Sequence, residues 1–338
     1  MKIMKKCSPR VFNSFLGGVV GILFVISLLW GESAVYSLST LIDWFTGKPN
    51  IEGIILGQLR LPRTLLAIIV GGTLGLSGAI LQGYFRNPLA DPGLLGVSGG
   101  AALGAVCVFY TGIFQISALL LPLGGLIGAG LSVVVLLGLV GRGGVIVLLL
   151  AGVVLSGLTT ALTALVLDLV PSPYATFEIV HWLMGSLTDR TMLDVWLTLP
   201  GVCGGIALMA TCAPALDALT MGEDVAISLG FQLGGVGGVQ KRIVLGVAMA
   251  VGSCVAVSGA IGFVGLMVPH MVRPFVGYRP SRLLISSFLM GALLLLSADL
   301  GVRLMAGRTE IQLGVITALL GVPVFFYRLL LYKQRNIF

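Results

Sequence analysis

Residues 60–100 open with Arg60-Leu61-Pro62-Arg63, continue through an uncharged run from Thr64 to Phe85, and turn at Arg86-Asn87-Pro88-Leu89-Ala90-Asp91-Pro92-Gly93-Leu94-Leu95-Gly96. The uncharged run has 22 residues. At about 1.5 Å per helical residue it covers the roughly 30 Å hydrocarbon core of a bilayer. Its ends differ in chemistry. One carries two arginines that read as bare cations, and the other is a Pro- and Gly-rich turn with a polar amide. The pattern predicts a membrane helix joining two surfaces with different jobs.

Composition extends that reading to the whole chain. Of 338 residues, 57% are hydrophobic and 10% charged, with a mean hydropathy of +1.09. Soluble domains carry about 25% charge, so this composition belongs to an integral membrane protein. Glycine contributes 49 residues, about twice the usual share of roughly 7%. Gly71 with Gly75, and Gly124 with Gly128, have the four-residue spacing that lets helices approach closely. The five cysteines are scattered without a C-x-x-C, which indicates neither a disulfide framework nor a metal site. Lys2, Lys5, Lys6 and Arg10 precede an uncharged run from Val11 to Gly31. That run exceeds a signal-peptide core and lacks an A-x-A site, so it reads as an uncleaved first span after a tail of residues 1–10.

Further uncharged runs supply the other helices. Residues 92–141 hold two spans, with Pro122-Leu123-Gly124-Gly125 as the expected turn. Residues 143–167, 195–216, 283–298 and 311–327 give one each. Residues 243–272 are 30 without charge, long for one helix and short for two. The distribution of Lys and Arg decides. Two spans there make ten in all, with 14 Lys and Arg inside and 6 outside, whereas one span makes the tally 10 against 10. The positive-inside rule therefore favours ten spans with both termini inside. Ser77-Gly78-Ala79-Ile80 recurs as Ser258-Gly259-Ala260-Ile261, each after an arginine on opposite sides, which suggests an inverted repeat. The expected fold is all-α and polytopic, one transmembrane domain across residues 1–338.

Several function classes are excluded. No G-x-x-x-x-G-K-[ST] occurs, so ATP cannot be held by a P-loop. His181 and His270 lie far apart, no metal-ligand cluster occurs, and nothing resembles a nucleophile with its base. No enzyme, resident metal, cofactor or nucleic-acid partner is expected. Ion-coupled carriers place ionisable residues in mid-membrane, and none falls inside an uncharged run. Asp299 and Arg303 are spaced i, i+4 and read as a pair at a helix end. The chain thus needs a driving partner, or it is a secondary carrier or channel of another kind. Residues 217–242 form the longest inside connection. Within it, Gly222-Glu223-Asp224-Val225-Ala226-Ile227-Ser228-Leu229-Gly230 reads as a short helix. Acids sit in its first turn, a glycine ends it, and Val225, Ala226 and Leu229 form an apolar edge.

On these residues the chain resembles the FecCD-type permease subunits of ABC importers for iron-siderophores, heme and cobalamin. The resemblance is carried by residues 60–100 and by Leu219-Thr220-Met221-Gly222-Glu223 with Ala226 and Gly230. Ser258-Gly259-Ala260-Ile261-Gly262-Phe263-Val264-Gly265-Leu266, Pro269-His270, Arg273, Ala298-Asp299 and the closing Gly314-Val315-Ile316-Thr317-Ala318 with Gly321-Val322-Pro323 add to it. The chain departs from the family pattern at residues 234–238, which are glycine-rich, and at Tyr278-Arg279-Pro280.

The resemblance implies ten helices and a homodimer in the cytoplasmic membrane. It also implies two cytoplasmic ABC ATPases and one extracytoplasmic substrate-binding protein. It assigns Arg60, Arg63 and Arg303 to binding-protein docking. Gly222, Glu223, Ala226, Leu229 and Gly230 fall to ATPase coupling, and Asn87, Leu89, Arg142 and Gly143 to the gate of the pathway. Residues 178–186 resemble a short outer helix beside the substrate entrance, in which His181 is expected to be a satisfied surface histidine. An Fe(III)-siderophore is the expected cargo, with heme or cobalamin as alternatives.

Overall fold

The computed structural model describes residues 8–31, 36, 38–47, 51–117, 119–141, 143–235, 237–305 and 311–335. Fifteen α-helices follow in chain order: α1 (Pro9–Leu29), α2 (Leu38–Phe45), α3 (Ile51–Ile55), α4 (Leu61–Tyr84), α5 (Val97–Thr111), α6 (Leu120–Val140), α7 (Val145–Leu169), α8 (Pro173–Leu183), α9 (Met192–Ala210), α10 (Ala213–Leu219), α11 (Glu223–Ser228), α12 (Val239–Ser258), α13 (Val264–Val276), α14 (Pro280–Met305) and α15 (Leu313–Arg335). A π-helical turn, Leu56–Arg60, joins α3 to α4. Among the described residues, seven helices are long and apolar enough to cross a membrane, and Val97–Thr111, Val264–Val276 and Leu313–Pro323 are shorter apolar helices.

The helix made by the opening stretch is the centre of the molecule. The span containing α4 is 83% buried within the protein, against 28% for α1, α7 and α9. The large side chains of those outer helices, among them Phe15, Leu150 and Val154, point outward and are exposed. Lipid tails are as apolar as leucine, so close packing of small residues has to hold such helices together. A methyl group on Gly71 would strike the carbonyl of Gly291, one on Gly75 that of Ser287, and one on Gly78 the backbone of Gly265. These contacts bring α14 and α13 against α4. Gly124 and Gly128 do the same for α6, against Gly104 and Gly100 of α5. The glycine spacing read from the sequence thus marks real helix crossings.

Several boundaries moved. Pro122 and Gly124 lie inside α6, and the turn falls earlier, around Gly112 (φ +70°). Proline fits the first helical turn because its missing N–H has no partner there in any case. The run 195–216 divides into α9 and α10 at Thr211 and Cys212. The ambiguous stretch 243–272 does break, at Gly259 (φ +69°) and Phe263 (φ +67°). The two matching tetrapeptides occupy unlike places. Ser77 sits mid-helix in α4, whereas Ser258 ends α12 and its carbonyl accepts from Ser186 N–H at 2.8 Å.

Candidate functional site

At the Arg60 end of α4, the arginines turn inward. Arg60 Nη1 donates to the carbonyls of Leu28 and Leu29, both at 3.0 Å, and its guanidinium stacks 4.1 Å from the Tyr36 ring centre. Those carbonyls belong to the last turn of α1, beyond the helix's own N–H donors, and the Leu29 carbonyl accepts from Tyr36 N–H at 2.8 Å as well. Gly31 makes the approach possible, since any side-chain carbon there would overlap the guanidinium. Arg63 Nε donates to Asp299 Oδ1 at 2.9 Å. Arg303 Nη2 donates to the other oxygen of the same carboxylate, and its Nη1 to Ser27 O at 3.0 Å. Asp299 is 1% exposed, Arg303 5% and Arg60 6%.

The expectation of bare outward cations is therefore corrected. Three guanidiniums gather into a buried cluster that ties α1, α4 and α14 together. The i, i+4 spacing of Asp299 and Arg303 announced one pair. It could not announce Arg63, which is 236 positions away.

Beyond α4 the chain doubles back. Arg86 adopts φ +49°, and Asn87 Oδ1 accepts from Leu89 N–H at 2.9 Å in a side-chain-closed turn. Residues 91–96 then run inward along α7. Ser156 Oγ donates to Gly93 O at 3.1 Å, Gly152 makes room for the carbonyl of Leu94, and Gly96 (φ +73°) rests on Leu155. Ser156 lies eleven residues into α7, or about 16 Å along it. Asp91 is consequently carried in against the helix bundle. Its carboxylate accepts from the N–H of Gly93 at 2.9 Å and from that of Leu266 in the first turn of α13. Those donors, with the favourable end of a helix dipole, compensate part of the desolvation.

The polar chain continues. Gln82 Nε2 donates to Leu266 O at 3.1 Å, Arg273 Nη2 donates to Gln82 Oε1 at 2.8 Å, and Arg273 Nη1 lies 3.2 Å from His270 Nδ1. These bonds tie the inward loop, α4 and α13 together. Of the residues expected at the gate, Asn87 and Leu89 stand exposed on the turn, and the Gly143 carbonyl accepts from Gln240 Nε2 at 3.3 Å. Arg142 lies outside the described residues.

At the Arg86 end, the expected short helix is α11. Gly222 (φ +118°) begins it, Gly230 (φ +87°) follows it, and Glu223 pairs with Arg86 at 2.9 Å. The expected apolar edge divides. Ala226 is fully buried, while Val225, Ile227 and Leu229 are exposed. Beside it lies a cavity of about 600 Å³ lined by Met221, Leu229, Phe231, Tyr278 and Arg279, with Asp217 beneath. Asp217 holds α14's start: it accepts from Arg279 Nε at 2.6 Å, Ser281 N–H at 2.9 Å and Ser281 Oγ at 2.7 Å. Partial burial pushes this carboxyl up, but those donors and the Arg279 charge outweigh it and hold its pKa below the ordinary aspartate range. Arg279, which departs from the family pattern, is thereby an internal anchor.

At the opposite end, His181 is hydrogen-bonded to the Gln312 amide and stacks on Phe177 at 5.7 Å, a satisfied histidine as expected. Nearby, Met184, Ala260, Gly314, Val315, Ala318 and Leu319 line an almost wholly apolar cavity of about 530 Å³ against α15.

Known proteins share this architecture. The model of the FecCD transport family matches residues 19–331. The cobalamin import system permease protein BtuC of Halobacterium salinarum is 39% identical over 285 residues, 84% of this chain and 75% of that protein. The Fe(3+)-citrate import system permease protein YfmE of Bacillus subtilis is 35% identical over 340 residues, 98% of each. A solved structure described as an inward-facing conformation of a metal-chelate type ABC transporter superposes with a TM-score of 0.81 at 31% identity. It covers 96% of this chain and all of that one.

Proposed function

The chain belongs to the FecCD transport family, and from that premise we propose that it is the permease through which an ATP-driven importer moves an Fe(III)-siderophore across the cytoplasmic membrane. The coarser statement, a membrane permease of an ABC importer for iron chelates, heme or cobalamin, follows from the family and its relatives. The relatives' names span different cargoes, and the apolar cavity beside α15 offers no charged group to choose among them. Selection of the cargo therefore falls to the binding protein.

The observation that carries the coupling mechanism is the surface at the Arg86 end. Met221, Leu229 and Tyr278 are 63%, 60% and 78% exposed around one groove. Exposed apolar groups of this kind, rimmed by charge, mark a protein contact. We assign it to the ATPase, two copies serving a homodimer of this chain. A push on α11 reaches α4 through Glu223 and Arg86. It then reaches α13 through Asp91 and Gln82, so the turn carrying Asn87 and Leu89 and the break before α13 shift together. In this reading the ten apolar helices all span the bilayer, with both termini and α11 in the cytoplasm. Arg60, Arg63 and Arg303 then belong to the outer face, where acids of the binding protein compete with Asp299 for the donors of Arg63 and Arg303 and with the α1 carbonyls for those of Arg60.

The test is uptake into liposomes of stated composition. The chain with its ATPase and binding protein should concentrate a ferric siderophore, and without either it should not. Uphill accumulation by the chain alone overturns the reading in favour of a secondary carrier. Charge reversal of Arg60 and Arg63 to Glu should weaken binding-protein affinity, and unchanged affinity at low salt removes the docking assignment.

A further inference from the structure

A second groove lies away from the arginine cluster, the inward loop and α11. It runs between α6 and α9, with α12 as its floor, and encloses about 450 Å³. Leu126, Gly130 and Val134 on α6 and Leu197, Pro200 and Gly201 on α9 form its walls. Gly130 has nothing within reach of a side-chain carbon, and Val134 and Pro200 face outward, so the groove opens to the surroundings of the helix bundle. Leu245 and Met249 of α12 are exposed in its floor, and Ser253 closes it.

Those floor residues continue a single stripe that begins with a cation. Arg242, Leu245, Met249 and Ser253 follow spacings of three, four and four, one face of a helix. From Arg242 to Ser253 the stripe rises about 16 Å, close to half of a roughly 30 Å hydrocarbon core. The groove itself takes up the part from Leu245 to Ser253, about 12 Å, and Arg242 stands one turn beyond its lining on the same helix face, so the stripe as a whole has the length of an acyl chain in one leaflet with a guanidinium at its end. Arg242 and Lys241 stand in the first turn of α12, where the macrodipole disfavours positive charge. Among the described residues, Arg242 Nη1 has only a long contact, 3.4 Å, to Thr211 Oγ1. Its Nε is buried with no hydrogen-bond partner among the described residues. A phosphate there would satisfy the guanidinium and neutralise the helix end at once.

We propose that this groove binds an anionic phospholipid of the surrounding bilayer, one acyl chain along Leu245 and Met249 and the headgroup phosphate on Arg242. Charge complementarity selects this occupant: an apolar trough alone would accept any lipid, and the cation at its end distinguishes lipids by headgroup. The seat lies on α12, which packs on α4, α5, α6 and α9. A bound lipid would fix the gap between α6 and α9 while α12 shifts. The leaflet depends on the orientation proposed above, but binding itself does not.

Native mass spectrometry of the purified, delipidated permease tests this by titration with dioleoylphosphatidylglycerol or dioleoylphosphatidylcholine. The anionic lipid should bind at one per chain with about fivefold preference, the worth of one interfacial cation. Arg242→Gln should abolish the preference while leaving some binding of either lipid, and Arg242→Lys should keep it. Gly130→Leu should fill the trough and weaken both lipids, with melting temperature checking that each variant is folded. Equal binding of the two lipids by the native chain, or a preference that survives Arg242→Gln in a folded protein, overturns the proposal. So does unchanged lipid stoichiometry in Gly130→Leu with loss of a dimer mass, which would give the groove to a second copy.

Discussion

Replacing Asp299 with Ala tests the buried arginine cluster directly. The carboxylate is 1% exposed and accepts from both Arg63 and Arg303, the latter itself 5% exposed. Its removal leaves a guanidinium that cannot reach water and whose remaining described acceptor is the Ser27 carbonyl at 3.0 Å. Breaking a buried ion pair from one side costs about 3–5 kcal/mol, because the surviving charge is uncompensated. At about 2 °C per kcal/mol for a large domain, thermal unfolding in detergent should fall by roughly 5–10 °C. The double variant Asp299→Leu with Arg303→Met removes both charges and should recover most of the loss, since apolar replacement of a buried pair is often close to neutral. Arg63, at 12% side-chain exposure, can still turn its head outward. The reasoning is refuted if Asp299→Ala melts within about 1 °C of the native chain, or if the double variant loses the sum of the single losses, which would mean no coupling.

Gly78→Val should cost about 3 kcal/mol or prevent assembly, because its side chain would overlap the Gly265 backbone. Gly17→Val, with open space around it, should elute from size exclusion like the native chain, and similar elution of both variants would contradict the crossing. Asp91→Ala strands two N–H donors and should cost about 1–3 kcal/mol. It should also slow uptake more than ATPase docking, and native uptake rates would show that the inward loop carries no motion. Asp217 has a depressed folded pKa, so its contribution is present above the unfolded value of about 3.9 and is lost as pH falls through the folded value. Native protein should therefore lose melting temperature below about pH 4 more steeply than Asp217→Asn, and parallel pH profiles would contradict the anchor.

Much of this fold is legible locally. The helices follow from uncharged runs, the break at residues 259–263 from a glycine-rich interruption in too long a run, and α11 from its acids and flanking glycines. The glycine pairs that bring helices together could be read from four-residue spacing. Positions whose partners lie far along the chain were not legible. Arg60 reads as a bare cation until α1 presents its last carbonyls, and Asp91 reads as a surface acid until α13 presents its first N–H groups. Arg242 shows the same limit, since its stripe on α12 becomes a groove floor only when α6 and α9 stand apart above it.

The sequence by itself determined the solvent, the helices and the family, because hydropathy, spacing and turn chemistry act over a few residues. The tertiary structure decided where the charges go. In a medium without water, a charged group settles beside whichever donor or acceptor another helix brings to it, and that choice is made only when the helices pack. The stretch at residues 60–100 shows both: a helix written in its own letters, with two arginines at one end and an aspartate at the other whose partners come from α1, α14 and α13.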